Sequence, residues 1–377
     1  MKKIVYFHPK INLPPLGGGD THSHEILKTL KEMGYKIFLF LLEIEEQPII
    51  TRTNWGYEEV YLFKKTADRL IIKRALSKYI DEIKPQFIFM NYASWDCVLD
   101  HEKHASIKRI IYNHHFESIR YKMGTYYRDV WNKHLPKSYL HIYKDLYAQD
   151  LFKKKDFKPD PKEYEVYDRY DLTFVCADFG AALIKTNCKK TQVVSFPVTL
   201  TPKESQPKYQ KLALFTVSPY TFAFQGYYFF IKCILPLILK REPLFRVRLF
   251  GPGSELFLPA PNIICKKYVL NLEGEYQKAS MTLCPSFSGT GQQIKIIEAM
   301  HYGIAPVSME NPMQFNPTIN AETGFVAKTA EEFADYTLRL YQNRELAMEM
   351  GQNAQRYARA NFTNTLLKER LKSVEVI

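Results

Sequence analysis

Short β-branched and aromatic runs alternate with stretches of helical periodicity along the whole chain. In the first half these runs predict strands over Lys3–Phe7, Lys36–Leu42, Glu59–Phe63, Gln86–Asn91, Lys108–Asn113, Leu172–Cys176 and Gln192–Phe196. Ile26, Leu27, Leu30 and Met33 share one helical face, so a helix is expected over Thr21–Met33 with Gly34 as its stop. From Leu200 to Lys211 the chain turns polar, with Pro202 and Pro207, and reads as a linker. A second alternation follows: a strand Leu212–Ser218, a helix Gly226–Lys240, a strand Phe245–Phe250 ahead of Gly251-Pro252-Gly253, a short strand near Ile263, a helix Glu273–Ala279 and a strand at Met281. Beyond a short strand Ile304–Val307, helices are expected over Glu331–Tyr341, Arg344–Ala360 and Thr365–Lys372. The pattern predicts an α/β protein of two Rossmann-like, doubly wound domains, residues 1–200 and 201–360, facing across a cleft lined by the C-terminal ends of their strands.

Candidate chemistry concentrates in one stretch, Ser288-Gly289-Thr290-Gly291-Gln292-Gln293-Ile294-Lys295-Ile296-Ile297-Glu298-Ala299-Met300. A glycine-bracketed loop there runs into an apolar helix. Free N–H groups at the loop and helix start can hold a pyrophosphate, and a carboxylate further along can hold ribose hydroxyls. Glu298 lies seven residues beyond Gly291, about two helical turns, and so near the face of the loop. Spacing alone fits an ordinary strand–loop–helix with a surface glutamate equally well. A second loop, Gly17-Gly18-Gly19-Asp20, precedes the first helix. Its glycines suit either a flexible turn or a close backbone approach to a ligand. It is neither GxGxxG nor a Walker loop.

Composition narrows the field. The chain has 377 residues, more than a single core usually serves, and six cysteines scattered without paired spacing. That distribution argues against a disulfide framework or a zinc site and fits a reducing cytoplasm. The N-terminal apolar run is broken too soon for a signal peptide, and Tyr227–Leu239, which carries Lys232, falls short of a membrane span. Formal charge is +12, conspicuous between Arg120 and Lys158 and including Lys153-Lys154-Lys155. The surplus suits an anionic partner or an ordinary solvated surface; without a helix-turn-helix, zinc-finger or RNP signature, nucleic acid is not expected. Mixed with Tyr126, Tyr127, Trp131, Tyr139 and Tyr143, this stretch reads as an insertion suited to an anionic membrane surface, or equally to soluble packing.

In its second half the chain resembles the retaining GT-B glycosyltransferases of family 4, the glycosyl transferases group 1. The resemblance rests on Thr216-Val217-Ser218-Pro219 with Gln225-Gly226, Ile234-Leu235-Pro236, Leu249-Phe250-Gly251-Pro252-Gly253, Glu275-Tyr276-Gln277-Lys278-Ala279, the Gly289–Met300 stretch, and Gly324-Phe325-Val326 followed by Glu331-Glu332-Phe333. In the first half only the Gly17–Gly19 loop with its helix and Tyr170-Asp171-Leu172 look similar. The resemblance implies a nucleoside-diphosphate sugar as substrate, with no cofactor and no divalent metal. The donor would be held mainly by the C-terminal domain, through Ser218, Gln225, Gly289, Thr290, Gly291, Gln292, Gln293, Lys295 and Glu298, with Gly18 and Gly19 of the first domain also facing it. It also implies a last helix, about 361–377, crossing back to the first domain.

Two departures stand out. Thr290 occupies the position of the first glutamate of the family's eight-residue step, whose second glutamate is Glu298. Ser218-Pro219 and Gln225-Gly226 stand where the family carries an Arg and a Lys, so Lys295, Arg246, Arg248 or the helix N-terminus would have to compensate.

Family members often carry a donor-sugar histidine at the end of a strand such as the one leading to Asn113-His114-His115-Phe116-Glu117. His114 and His115 are therefore the expected catalytic-site histidines and Glu117 an acceptor contact; His8, His22 and His24 are weaker candidates. The expected activity is retaining, metal-independent transfer of a hexosyl-type group to a glycan or lipid-linked acceptor in surface polysaccharide or glycoconjugate assembly. The expected location is cytoplasmic, including the inner membrane face. The rival readings are a non-catalytic GT-B partner subunit and a nucleotide-sugar epimerase.

Overall fold

The computed structural model describes residues 2–9, 11, 18–43, 59–64, 68–134, 157–218, 221–257, 259–266, 269 and 271–373. The chain forms two compact units, Met1–Ile119 with Lys158–Thr199 and Asn364–Ile377, and Arg120–Phe157 with Leu200–Thr363. Pro219 and most of the basic stretch, residues 135–156, lie outside the described residues.

The first unit holds a seven-stranded parallel sheet. Its strands are β1 (Lys3–His8), β2 (Lys36–Glu43), β3 (Glu59–Lys64), β4 (Phe87–Asn91), β5 (Lys108–Asn113), β6 (Leu172–Val175) and β7 (Gln192–Ser195), in the order β3-β2-β1-β4-β5-β6-β7. Ile4 to Phe7 and the whole of β4 are buried, as strands covered on both faces must be. Strand order reverses between β1 and β4, with Val5 opposite both Phe38 and Ile88. At such a switch point the loops leaving the two strands diverge and leave room for a ligand.

Helix α1 spans Gly18–Glu32, so Gly18 and Gly19 belong to its first turn and not to the loop expected before it. Helix α2 (Arg69–Ile83), unmarked by the strand pattern, buries Ile72, Leu76, Ile80 and Ile83 along one face. The Asp68 carboxylate caps its start, and Lys84, at φ 51°, closes its end. Helix α3 begins at Glu117, α4 spans Pro161–Tyr167 and α5 spans Asp178–Asn187. The buried Glu163 of α4 accepts from the N–H groups of Glu117 and Ser118 at 2.8 and 3.0 Å, placing a carboxylate on the positive end of α3.

The second unit carries a six-stranded parallel sheet and a two-stranded one. Its strands are β8 (Ala213–Thr216), β9 (Val247–Phe250), β10 (Ile263–Lys266), β11 (Met281–Cys284), β12 (Gly291–Gln292), β13 (Ala305–Met309), β14 (Gln314–Phe315) and β15 (Phe325–Ala327). The larger sheet runs β10-β9-β8-β11-β13-β15, reversing between β8 and β11, and β12 pairs with β14. The helix expected over Gly226–Lys240 is α6 (Thr221–Phe229), a π-helical turn Phe230–Ile234 and α7 (Leu235–Arg241). Pro236 has no N–H and its ring crowds the preceding turn; the wider turn, with Leu235 N–H donating to the Phe230 carbonyl, accommodates it.

By length and composition Phe222–Arg241 is apolar enough to cross a membrane, which the shorter apolar run in the sequence did not suggest; half of its apolar window is buried. Phe230 packs on Phe333 of α10 (Ala330–Gln342) within the unit. Helices α8 (Leu272–Tyr276), α9 (Ile294–His301) and α11 (Arg344–Asn361) complete it. The last helix, α12 (Asn364–Ser373), belongs to the first unit, where Asn364 hydrogen-bonds Glu25 of α1.

Candidate active site

In the second unit the carboxyl ends of β8 and β11, neighbours in the sheet, lead to Ser218 and to the segment Ser286–Gly291. Gly289 and Gly291 have φ of 109° and 83°, a region other residues rarely enter. Asn311 Nδ2 donates to the Gly289 carbonyl at 3.2 Å, while Asn311 Oδ1 accepts from the Met313 N–H at 3.1 Å, which fixes the amide's orientation. Ser288 Oγ donates to Gln225 Oε1. Gly226 lies so close to Ser286 that an added Cβ would meet Ser286 Oγ at 2.9 Å. Gln225 is buried and its amide oxygen braces the glycine loop.

Past β12 the chain enters α9. Gln293 is its N-cap residue, 3% exposed, without a capping side-chain bond. The N–H groups of Ile294 and Lys295, in the first turn, have no intrahelical acceptor. Lys295 reaches back so that Nζ lies 3.5 Å from the Thr216 carbonyl at the end of β8. Arg248 instead pairs with the buried Glu275, which also holds Lys266 at 3.0 Å, and Arg246 donates to the Lys211 carbonyl at 3.2 Å. Of the cations weighed as substitutes for the family's Arg and Lys, Lys295 is the one brought to the end of β8. Thr290 and Ser218 are half-buried at the two strand exits, Thr290 one residue ahead of β12.

Spacing alone left Glu298 equally able to sit on the open helix surface. It is half-buried, and Tyr276 Oη approaches its Oε2 at 3.4 Å, a long contact. Tyr276 is itself fixed by stacking on Tyr302, ring centroids 4.5 Å apart. Desolvation raises the Glu298 carboxyl to about 7, against the smaller opposing pull of Tyr276 and Lys203. Among the described residues, that long contact is the carboxylate's one side-chain hydrogen bond.

In the first unit the histidine pair follows β5. His114 Nε2 lies 2.9 Å from Asn91 Oδ1, and Asn91 Nδ2 donates to the Phe7 carbonyl at 2.9 Å. With the amide so oriented, Nε2 carries the imidazole proton and Nδ1 is the open lone pair. The ring is stacked on Tyr92, at φ 69° just past β4, with centroids 4.6 Å apart, and lies 4.0 Å from Tyr112. Burial lowers its pKa to about 3. His114 is thus a neutral hydrogen-bonding group and not a proton shuttle.

His115 is half-buried, its ring tilted 5.8 Å from Tyr92. His22 is fully buried against Tyr112 Oη at 2.7 Å, and His8 hydrogen-bonds Ser23 at 3.2 Å. The Glu117 carboxylate bonds the Ser94 N–H and, at 2.7 Å, the Ser94 hydroxyl, anchoring the turn after Tyr92. Sequence reasoning missed Asn91, Tyr92 and Tyr112 as partners of His114. Among the described residues no group of three His, Cys, Asp or Glu side chains could hold a metal ion.

Solved structures share this architecture across the entire chain. Sucrose-phosphate synthase from Thermosynechococcus elongatus superposes with a TM-score of 0.71 at 14% identity, covering 99% of this chain and 98% of that one. TarM of S. aureus gives 0.70 at 10%, covering 99% and 98%. HepE of Anabaena, solved in complex with UDP-glucose, gives 0.68 at 11%, covering 100% of both. At such identities the likeness is one of fold, and that fold is GT-B. Residues 211–343, in the second unit, match the family model described as glycosyl transferases group 1. No curated protein sequence matches the chain.

Proposed function

We propose that the protein is a retaining glycosyltransferase that moves a hexosyl-type sugar from a nucleoside-diphosphate sugar to a glycan or lipid-linked acceptor. The observation that carries this reading is the arrangement at β8 and β11: a glycine loop with positive φ, the open first turn of α9, Lys295 at the end of β8 and a partner-poor Glu298 one helical face further on. Helix N–H groups and Lys295 would hold the pyrophosphate, and Glu298 the ribose. His114 would accept a hydroxyl hydrogen bond from a bound sugar through Nδ1. No divalent ion enters this scheme, and surface glycan assembly on the cytoplasmic side of an anionic membrane is the setting that suits a chain of charge +12.

HepE was solved with UDP-glucose, which makes UDP-sugars the first donors to try. The test is hydrolysis and transfer with UDP-, GDP- and ADP-sugars in the presence of EDTA, with the anomer of the product read by NMR. An inverted product, or activity that vanishes in chelator and returns with Mg²⁺, overturns the mechanism. A second reading, a non-catalytic GT-B partner subunit, draws on Thr290, Pro219 and Gln225 standing where the family carries Glu, Arg and Lys. Slow donor hydrolysis by the isolated chain separates the two, because a subunit without catalysis shows none.

A further inference from the structure

The Gln293 side chain is the least explained group in the second unit. It is 3% exposed, and both Nε2 and Oε1 are buried without a hydrogen-bond partner among the described residues. Its backbone is fully used: the N–H donates to Phe315 at 3.2 Å and the carbonyl accepts from Ile296 at 3.0 Å. The side chain leaves the α9 N–H groups uncapped, although it sits at the position from which a polar side chain ordinarily caps. A carboxamide shut away with a donor and an acceptor both unmet is unfavourable, and a native chain rarely keeps one without a use.

Resting on the donor-site reading above, we propose that Gln293 is a specificity-determining contact that distinguishes the intact sugar nucleotide from the free nucleoside diphosphate. Its two unmet atoms ask for one acceptor and one donor side by side. A diphosphate at the start of α9 offers acceptors only. A glycosyl diphosphate offers a phosphate oxygen for Nε2–H and a sugar hydroxyl for Oε1. Gln293 is two residues past Gly291, which has a positive φ, and directly ahead of Ile294 and Lys295, whose N–H groups in the first turn of α9 have no intrahelical acceptor. The amide is closed off from water, so meeting the donor requires a change of rotamer.

The experiment compares wild type with Gln293→Met, similar in length and without hydrogen-bonding atoms of that strength, by calorimetric titration with UDP and UDP-glucose, GDP and GDP-mannose, and ADP and ADP-glucose. For the pair that wild type binds, the variant should lose about tenfold in affinity for the sugar nucleotide and about threefold or less for the diphosphate, as expected for two lost hydrogen bonds against one. The ligand-free melting temperature should hold or rise, since a buried unsatisfied pair is removed. An unchanged affinity ratio, or a melting temperature that falls along with both affinities, overturns the proposal and makes Gln293 a structural or water-bound group. Wild type that binds none of the six ligands removes the donor site itself, a failure distinct from an unchanged ratio.

Discussion

Asn91 holds His114 in a single tautomer: its Oδ1 sits 2.9 Å from His114 Nε2 while its Nδ2 is committed to the Phe7 carbonyl. The three groups come from β4, the segment after β5, and β1, so the switch point of the first sheet itself builds the contact. His114→Ala should lower turnover about tenfold, the worth of one hydrogen bond plus ring positioning, whereas His115→Ala should leave it within about twofold. Equal rates for both variants and wild type would remove the pair from the reaction. Asn91→Asp should raise the His114 pKa from its depressed value by placing a negative charge on Nε2, which an NMR titration of the ring protons reads directly.

Glu298 combines binding and stability in opposite senses. Because its folded pKa of about 7 lies above the ordinary 4.5, its contribution to stability is fully present below pH 4.5 and is lost as pH rises through 7. Glu298→Gln should therefore melt higher than wild type at pH 8 and show no such advantage near pH 4. The same substitution should weaken donor binding about tenfold by calorimetry, since a neutral amide replaces a carboxylate accepting ribose hydroxyls. Unaltered donor affinity would remove Glu298 from the donor site.

Lys295→Met keeps the aliphatic stem over Phe215, where Nζ lies 6.0 Å from the ring centroid, and removes the charge. Affinity for a nucleoside diphosphate should fall by about 10- to 100-fold, the range of a charge-assisted hydrogen bond, and affinity for the bare nucleoside hardly at all. Parallel losses for both ligands would show that Lys295 supports the fold and does not read phosphate.

Buried histidines make the fold acid-sensitive. Burial lowers the pKa of His114 to about 3 and of His301 to about 4, and holds His22 well below its ordinary 6.5. Each contributes stability that is present above pH 6.5 and is lost as pH falls toward the folded values. Thermal denaturation should show a falling melting temperature between pH 6.5 and 4, and His301→Gln should flatten part of that slope. A melting temperature independent of pH across this window would contradict the burial of neutral imidazoles.

Central strands were legible because burial on both faces leaves an unbroken apolar run: β1, β2 and β5 fall within a residue of their expected bounds. Helix boundaries were less so. The start of α1 at Gly18 and the π turn ahead of Pro236 depend on hydrogen-bond geometry that residue identity biases but does not fix. α2 was passed over because its apolar face is only Ile72, Leu76, Ile80 and Ile83, diluted by polar neighbours.

By itself, then, the sequence determined the two alternations of strand and helix, and the glycine loop and helix start that place Gly291, Lys295 and Glu298 in one short segment. Periodicity and local spacing carry that information. What only the tertiary structure decided were relationships between residues distant along the chain. Tyr276 comes to Glu298 from 22 positions away, Asn91 to His114 from 23, and Gln225 to Ser288 from 63. The same distinction explains why Lys295, rather than Arg246 or Arg248, is the cation at the end of β8: the carboxylate and carbonyl that occupy the two arginines are contributed by other segments, and only packing brings them there. Burial likewise set the protonation of Glu298 and His114, since desolvation depends on what surrounds a side chain and not on its neighbours in sequence.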